Sequence, residues 1–155
     1  MTELRKPSVR EPLEDRATRG RPVLLATLGV PFDPDGLSFA LDAAVESGRP
    51  LVVANVVRLE PLPMSVLLGF DRLEPPALAD ALIEPARLAH SLGVEVERLR
   101  VRSPRPVSAL VELVDEIGPG IVVFGPDRER LSRRLYRKAA AKLSEHAPCL
   151  VWLAS

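Results

Sequence analysis

The sequence predicts an α/β domain built on a parallel sheet flanked by helices. Three observations predict it. Short apolar runs of strand length recur as PVLLATL from Pro22, LVVANVV from Leu51 and IVVFG from Ile121. None of the three alternates polar with apolar residues, so each suits a strand buried on both faces, as parallel strands are. Between the runs the periodicity changes to helical spacing, and each helical stretch closes on a glycine suited to a C-terminal cap: Gly48, Gly93 and Gly118.

The elements follow in order. Residues 1–21 are polar, charged and proline-bearing without hydrophobic periodicity, and are expected to be a disordered tail before a domain at 22–155. After the first strand, Asp33 and Asp35 in PFDPDG suit a turn and an N-cap, and Leu37, Ala40, Leu41, Ala44 and Val45 mark a helical stripe. The second strand is followed by LEPLPMSVLLGFDRLEPP at 59–76, which is too apolar for an ordinary loop and is expected to pack over the crevice or against a partner. A second helix runs through ALADALIEPARLAHSLG, with Pro85 expected to kink or divide it. VEVERLRVR then carries Glu95, Glu97, Arg98, Arg100 and Arg102, a charge density that predicts a protected edge strand. In PVSALVELVDEIG, Pro106 suits the first turn of a helix and Leu110, Leu113, Val114 and Ile117 its apolar stripe. A last helix leads to the uncharged strand CLVWLAS, in which Cys149 suits a buried strand start.

Composition narrows the function. With 155 residues the chain is one domain, and with 21 basic against 21 acidic residues no global field recruits nucleic acid or a membrane. From Pro126 onward, however, seven Arg and Lys face three Asp and Glu. A single cysteine forms no internal disulfide, and no segment has the length of a membrane span, so a cytoplasmic protein is expected. His90 and His146 have no partners at ligand spacing, which predicts no metal site, and no nucleophile elbow is present, which predicts no catalytic residues and no enzyme.

ARLAHSLGVEVERLRVR, PVSALVELVDEIGPGIVVFG and the ending LSEHAPCLVWL resemble the universal stress protein (UspA-like) family, and the likeness covers roughly residues 22–154. It implies a Rossmann-like five-stranded parallel sheet in the order 3-2-1-4-5 with helices on both faces, often a homodimer, with ATP bound in some members and absent in others. The ATP-binding members carry an Asp at the end of the first strand and G-x2-G-x9-G-[ST] after the fourth. Matched on HAPC, Leu28 takes the Asp position, Phe124 and Asp127 the first two glycines, and Arg137 and Lys138 the Gly-Ser pair. Anchored on Gly125, the other positions fall on Arg128, Lys138 and Ala139.

Either register is broken, and Asp127 sets a carboxylate where phosphate would lie. The family nucleotide-site positions, Thr27, Leu28, Val56, Gly125, Asp127, Arg128, Arg137 and Lys138, are therefore mostly degenerate. The expectation is a stress-response or regulatory domain without cofactor, acting through dimerisation and through a protein partner that the sequence does not identify. The alternative is an ATP or AMP sensor, with slow ATPase activity, whose phosphate site is rebuilt from Arg and Lys side chains. Helical geometry sets Leu131, Leu135, Ala139 and Leu143 on one side of the last helix and Arg130, Arg133, Arg134, Arg137 and Lys138 on the other, which favours a solvated basic face. The fifth strand, being uncharged, is expected to pair with a second copy along residues 149–154.

Overall fold

The structure, a computed structural model, describes residues 20–59 and 81–155. Residues 1–19 of the expected tail and residues 60–76 of the apolar segment lie outside the described residues. The elements alternate as β1 (Val23–Thr27), α1 (Pro34–Ser47), β2 (Leu51–Arg58), α2 (Ile83–Ser91), β3 (Val96–Ser103), α3 (Pro106–Ile117), β4 (Ile121–Phe124), α4 (Arg133–His146) and β5 (Leu150–Leu153). The strands form one sheet in the order β3-β2-β1-β4-β5, every neighbouring pair parallel, as the resemblance implies.

All five residues of β1 and the first six of β2 are buried, which is why their sequences are continuous apolar runs. Alternate residues feed two cores. Leu24, Ala26, Val52, Ala54 and Val122 pack with Leu110, Val114, Ala139 and Leu143 of α3 and α4. Val23, Leu25, Val53 and Val123 pack with Ala40, Leu41 and Ala44 of α1 and Ala89 of α2. Helices thus cover both faces of the sheet.

Asp33 caps α1, its Oδ2 accepting from the Gly36 N–H at 3.0 Å, and Pro34 fills the first helical position. The stripe differs from expectation at one end, because Val45 is 48% exposed. Gly36 lets the helix lie against β4, so the buried line runs Gly36, Ala40, Ala44, and Val45 is turned about 100° from Ala44. Pro85 neither kinks nor divides a described helix. It stands third in α2, within the first turn, whose N–H groups have no helical acceptor in any case.

β3 is an edge strand and its Glu97, Arg98, Arg100 and Arg102 are exposed, as their charge predicts. Cys149 does not begin a buried strand. It is half-buried one residue before β5, beside an open hollow of about 580 Å³ at the amino end of the sheet, and burial pushes its thiol above the ordinary range against the pull of Arg21.

Candidate functional site

In this strand order the chain leaves β1 toward β2 on one side and β4 leads to β5 on the other. The two loops diverge at the carboxyl ends of β1 and β4, and ligands of open parallel sheets lie in the crevice between them. One lip is Leu28–Asp33; the other is Gly125–Arg128.

The first lip is a tight turn held from inside. Buried Thr27 donates through Oγ1 to the Val30 carbonyl at 2.8 Å, and Gly29, at φ +72°, donates its N–H to Asn55 Oδ1 at 2.8 Å. Asn55 is fully buried within β2, level with Thr27 at the end of β1, and its Nδ2 has no hydrogen-bond partner among the described residues. Sequence reasoning missed this residue, although one polar side chain inside LVVANVV was its signal. Leu28 is 4% exposed and Val56 fully buried. With Gly29, Val57, Arg58, Pro106 and Leu135 they line a hollow of about 260 Å³, smaller than the roughly 300–1,000 Å³ usual for ligand pockets.

The second lip is closed onto the first. The Asp33 N–H donates to the Gly125 carbonyl at 2.8 Å, the Asp127 N–H donates to the Pro31 carbonyl at 2.9 Å, and Phe32 and Pro126 form an antiparallel bridge between these bonds. Gly125 has a packing reason to be glycine, since a Cβ added there would stand 3.3 Å from the Gly36 Cα, and one added at Gly36 would stand 3.0 Å from the Gly125 Cα. Asp127 turns its carboxylate to its own loop. Its Oδ1 accepts from the Glu129 N–H at 3.0 Å, its Oδ2 lies 3.6 Å from Arg130 Nε, and its carbonyl accepts from Arg130 and Leu131.

Arg128 leaves the crevice altogether. Its guanidinium lies 3.7 Å over the Tyr136 ring, and Nη1 donates to the Ala154 carbonyl at 3.1 Å. The Tyr136 hydroxyl donates to the same carbonyl at 2.5 Å, and the Tyr136 ring stacks on Phe124 at 5.6 Å. Burial pushes the Tyr136 phenol above its ordinary value, although the Arg128 charge pulls the other way.

Of the sequence-derived positions, Thr27, Leu28, Val56, Gly125 and Asp127 therefore gather at the carboxyl end of the sheet. Arg128 is spent on closing the end of β5, and Arg137 and Lys138 are exposed along α4, outside the lining of the hollow. Apart from Arg58, the hollow offers an apolar wall, and the lip amides of Gly29, Asp33 and Asp127 already have acceptors. A triphosphate cradle needs such amides turned outward. These residues do not fit one. Among the described residues, no group of three or more His, Cys, Asp or Glu could hold a metal ion, and no helix is long and apolar enough to cross a membrane.

The sequence pattern of the Universal stress protein family matches residues 20–155. No curated protein sequence is significantly similar to the chain. Among solved structures, a universal stress protein from Archaeoglobus fulgidus shares 20% identity at a TM-score of 0.63, over 93% of this chain and 100% of that one. Another, from Archaeoglobus fulgidus in complex with dAMP, shares 19% identity at a TM-score of 0.59, over 88% of this chain and 99% of that one. A family protein from Arabidopsis thaliana with AMP bound shares 18% identity at a TM-score of 0.55, over 87% of this chain and 91% of that one. At these identities the likeness is one of fold.

Proposed function

This chain belongs to the universal stress protein family, and from that premise we propose that it works without bound ATP, as a cytoplasmic regulatory domain that pairs with a second copy of itself and with another protein rather than as an enzyme. The observation that carries this reading is the closed crevice, in which the loops after β1 and β4 are hydrogen-bonded to each other. A phosphate entering between them would displace two backbone bonds, each worth about 1 kcal/mol net, before gaining any contact of its own. Buried Leu28 adds no polar group in return.

Titration calorimetry with ATP and with AMP tests this. No saturable heat is expected in the low micromolar range, which corresponds to roughly 8 kcal/mol of affinity. Tight, stoichiometric ATP binding would overturn the reading.

A second reading, an AMP or ATP sensor, is favoured by the hollow beside Leu28 and Val56 and by relatives whose structures hold AMP and dAMP. Under it the phosphates are held by side chains. Arg58 is the cation that lines the hollow, and Arg58→Ala then weakens binding at least tenfold.

A further inference from the structure

α4 spends its charges in a way that folding alone does not require. Arg133, Arg134, Arg137, Lys138 and Lys142 are all exposed, and none forms an ion pair among the described residues. At 100° per residue they span about half of the helix circumference, opposite buried Tyr136, Ala139 and Leu143. Arg133 and Arg134 occupy the first turn, which has no acidic residue, so they face the positive end of the helix dipole. The cap at this end is Ser132, which accepts from the Leu135 N–H at 3.1 Å. A face made only for solubility has no reason to gather unpaired like charges where the backbone opposes them.

We propose that the outer face of α4 docks an acidic helical segment of a partner protein, a reading that rests on the proposal that this domain acts by association. Arg134, Lys138 and Lys142 follow i, i+4, i+8 spacing, a row about 12 Å long that turns about 40° around the helix at each step. A partner helix with carboxylates at every fourth residue presents the same interval, so three charge pairs form in register. Nucleic acid fits less well. Tyr136, the one aromatic residue of α4, is buried and covered by Arg128, which leaves no ring for base stacking.

The test uses the full chain and, as probe, a capped helical peptide with glutamate at every fourth position, followed by fluorescence anisotropy. Binding is expected at low salt, weakening on the order of tenfold as ionic strength rises through the physiological range. The double variant Arg134→Glu, Lys138→Glu is expected to lose at least tenfold. Glutamate at 134, in the first turn, suits the helix dipole and position 138 is exposed, so this variant retains its fold, and Arg134→Gln with Lys138→Gln repeats the test without reversed charge. Arg98→Glu, on the β3 edge, is expected to leave binding unchanged. Absence of binding at low salt overturns the proposal, as does equal loss in Arg98→Glu or unchanged binding in both α4 variants. An oligothymidylate of equal charge that binds as tightly as the peptide also overturns it, in favour of nucleic acid. ATP calorimetry is read separately, so a nucleotide-binding result defeats the earlier reading of the crevice without deciding the occupant of α4.

Discussion

The sheet ends in two unlike strands. β3 has eight residues, pairs with β2 along its whole length, and exposes Glu97, Arg98, Arg100 and Arg102. β5 has four residues and no charged side chain, yet its carboxyl end is held by more distant contacts: Trp152 stacks on Phe39 of α1 at 5.2 Å, and the Ala154 carbonyl receives both Arg128 and Tyr136. Length secures one edge and side-chain anchoring the other. The charge on β3 repels a neighbouring strand, whereas β5 leaves Leu150 73% exposed.

Removing an anchor should hurt β5 more than removing a charge hurts β3. Trp152→Ala deletes the Phe39 stack and empties the space beside Gly36 that the ring edge fills, and should cost about 2 kcal/mol by urea denaturation, less than a fully buried tryptophan because the ring is only half-buried. Arg98→Ala, on the opposite edge, should fall within about 0.5 kcal/mol of wild type. Equal losses would erase the distinction.

A smaller effect belongs to Tyr136. Tyr136→Phe removes the hydroxyl bond to Ala154 and should cost about 1 kcal/mol. Its pH dependence sharpens the point. The phenol is raised in the folded state, so the folded protein holds this proton more firmly than the unfolded chain does. The stability it contributes is complete below the ordinary phenol value of 10.0 and is lost as pH rises from there through the folded value. Wild type should therefore lose stability in that alkaline window faster than Tyr136→Phe. Parallel alkaline limbs would remove Tyr136 from the anchor.

The smallest effect on the fold is expected at Leu150. Leu150→Lys gives β5 the kind of charge that β3 already carries and should change stability by less than about 0.5 kcal/mol. Light scattering should nevertheless report a dimer for wild type and a monomer for the variant. A monomeric wild type at tens of micromolar would sink the proposed pairing along β5.

The strands were legible because β1, β2 and β4 are buried on both faces, so burial alone wrote their sequences. Helix ends were legible where the cap is local, as at Asp33 and Gly118. The strand order came from family resemblance, since nothing in an apolar run specifies its neighbour. The site was less legible. That Leu28 and Asp127 depart from the nucleotide pattern could be seen in the sequence, but the engagement of Asp127 by Pro31 and of Arg128 by Ala154 could not. Those contacts join residues far apart in sequence, and the direction of Arg128 is decided by a ring and a carbonyl supplied by α4 and the end of β5. Asn55 was overlooked because its role depends on Gly29, brought beside it by β1–β2 pairing.

The stitching of the two lips also bears on redesign. Restoring glycine at Asp127 and a Gly-Ser pair at Arg137 and Lys138 would rewrite the letters of a nucleotide motif while leaving the Asp33–Gly125 and Asp127–Pro31 bonds intact. Each amide recruited for a phosphate has to be withdrawn from that seam. Gly36, packed on Gly125, ties the seam to the first turn of α1, so separating the lips also shifts a helix. An engineer seeking a triphosphate binder would have to recut the turn after β1 first, because the lock lies in the backbone of both loops and not in the side chains of one.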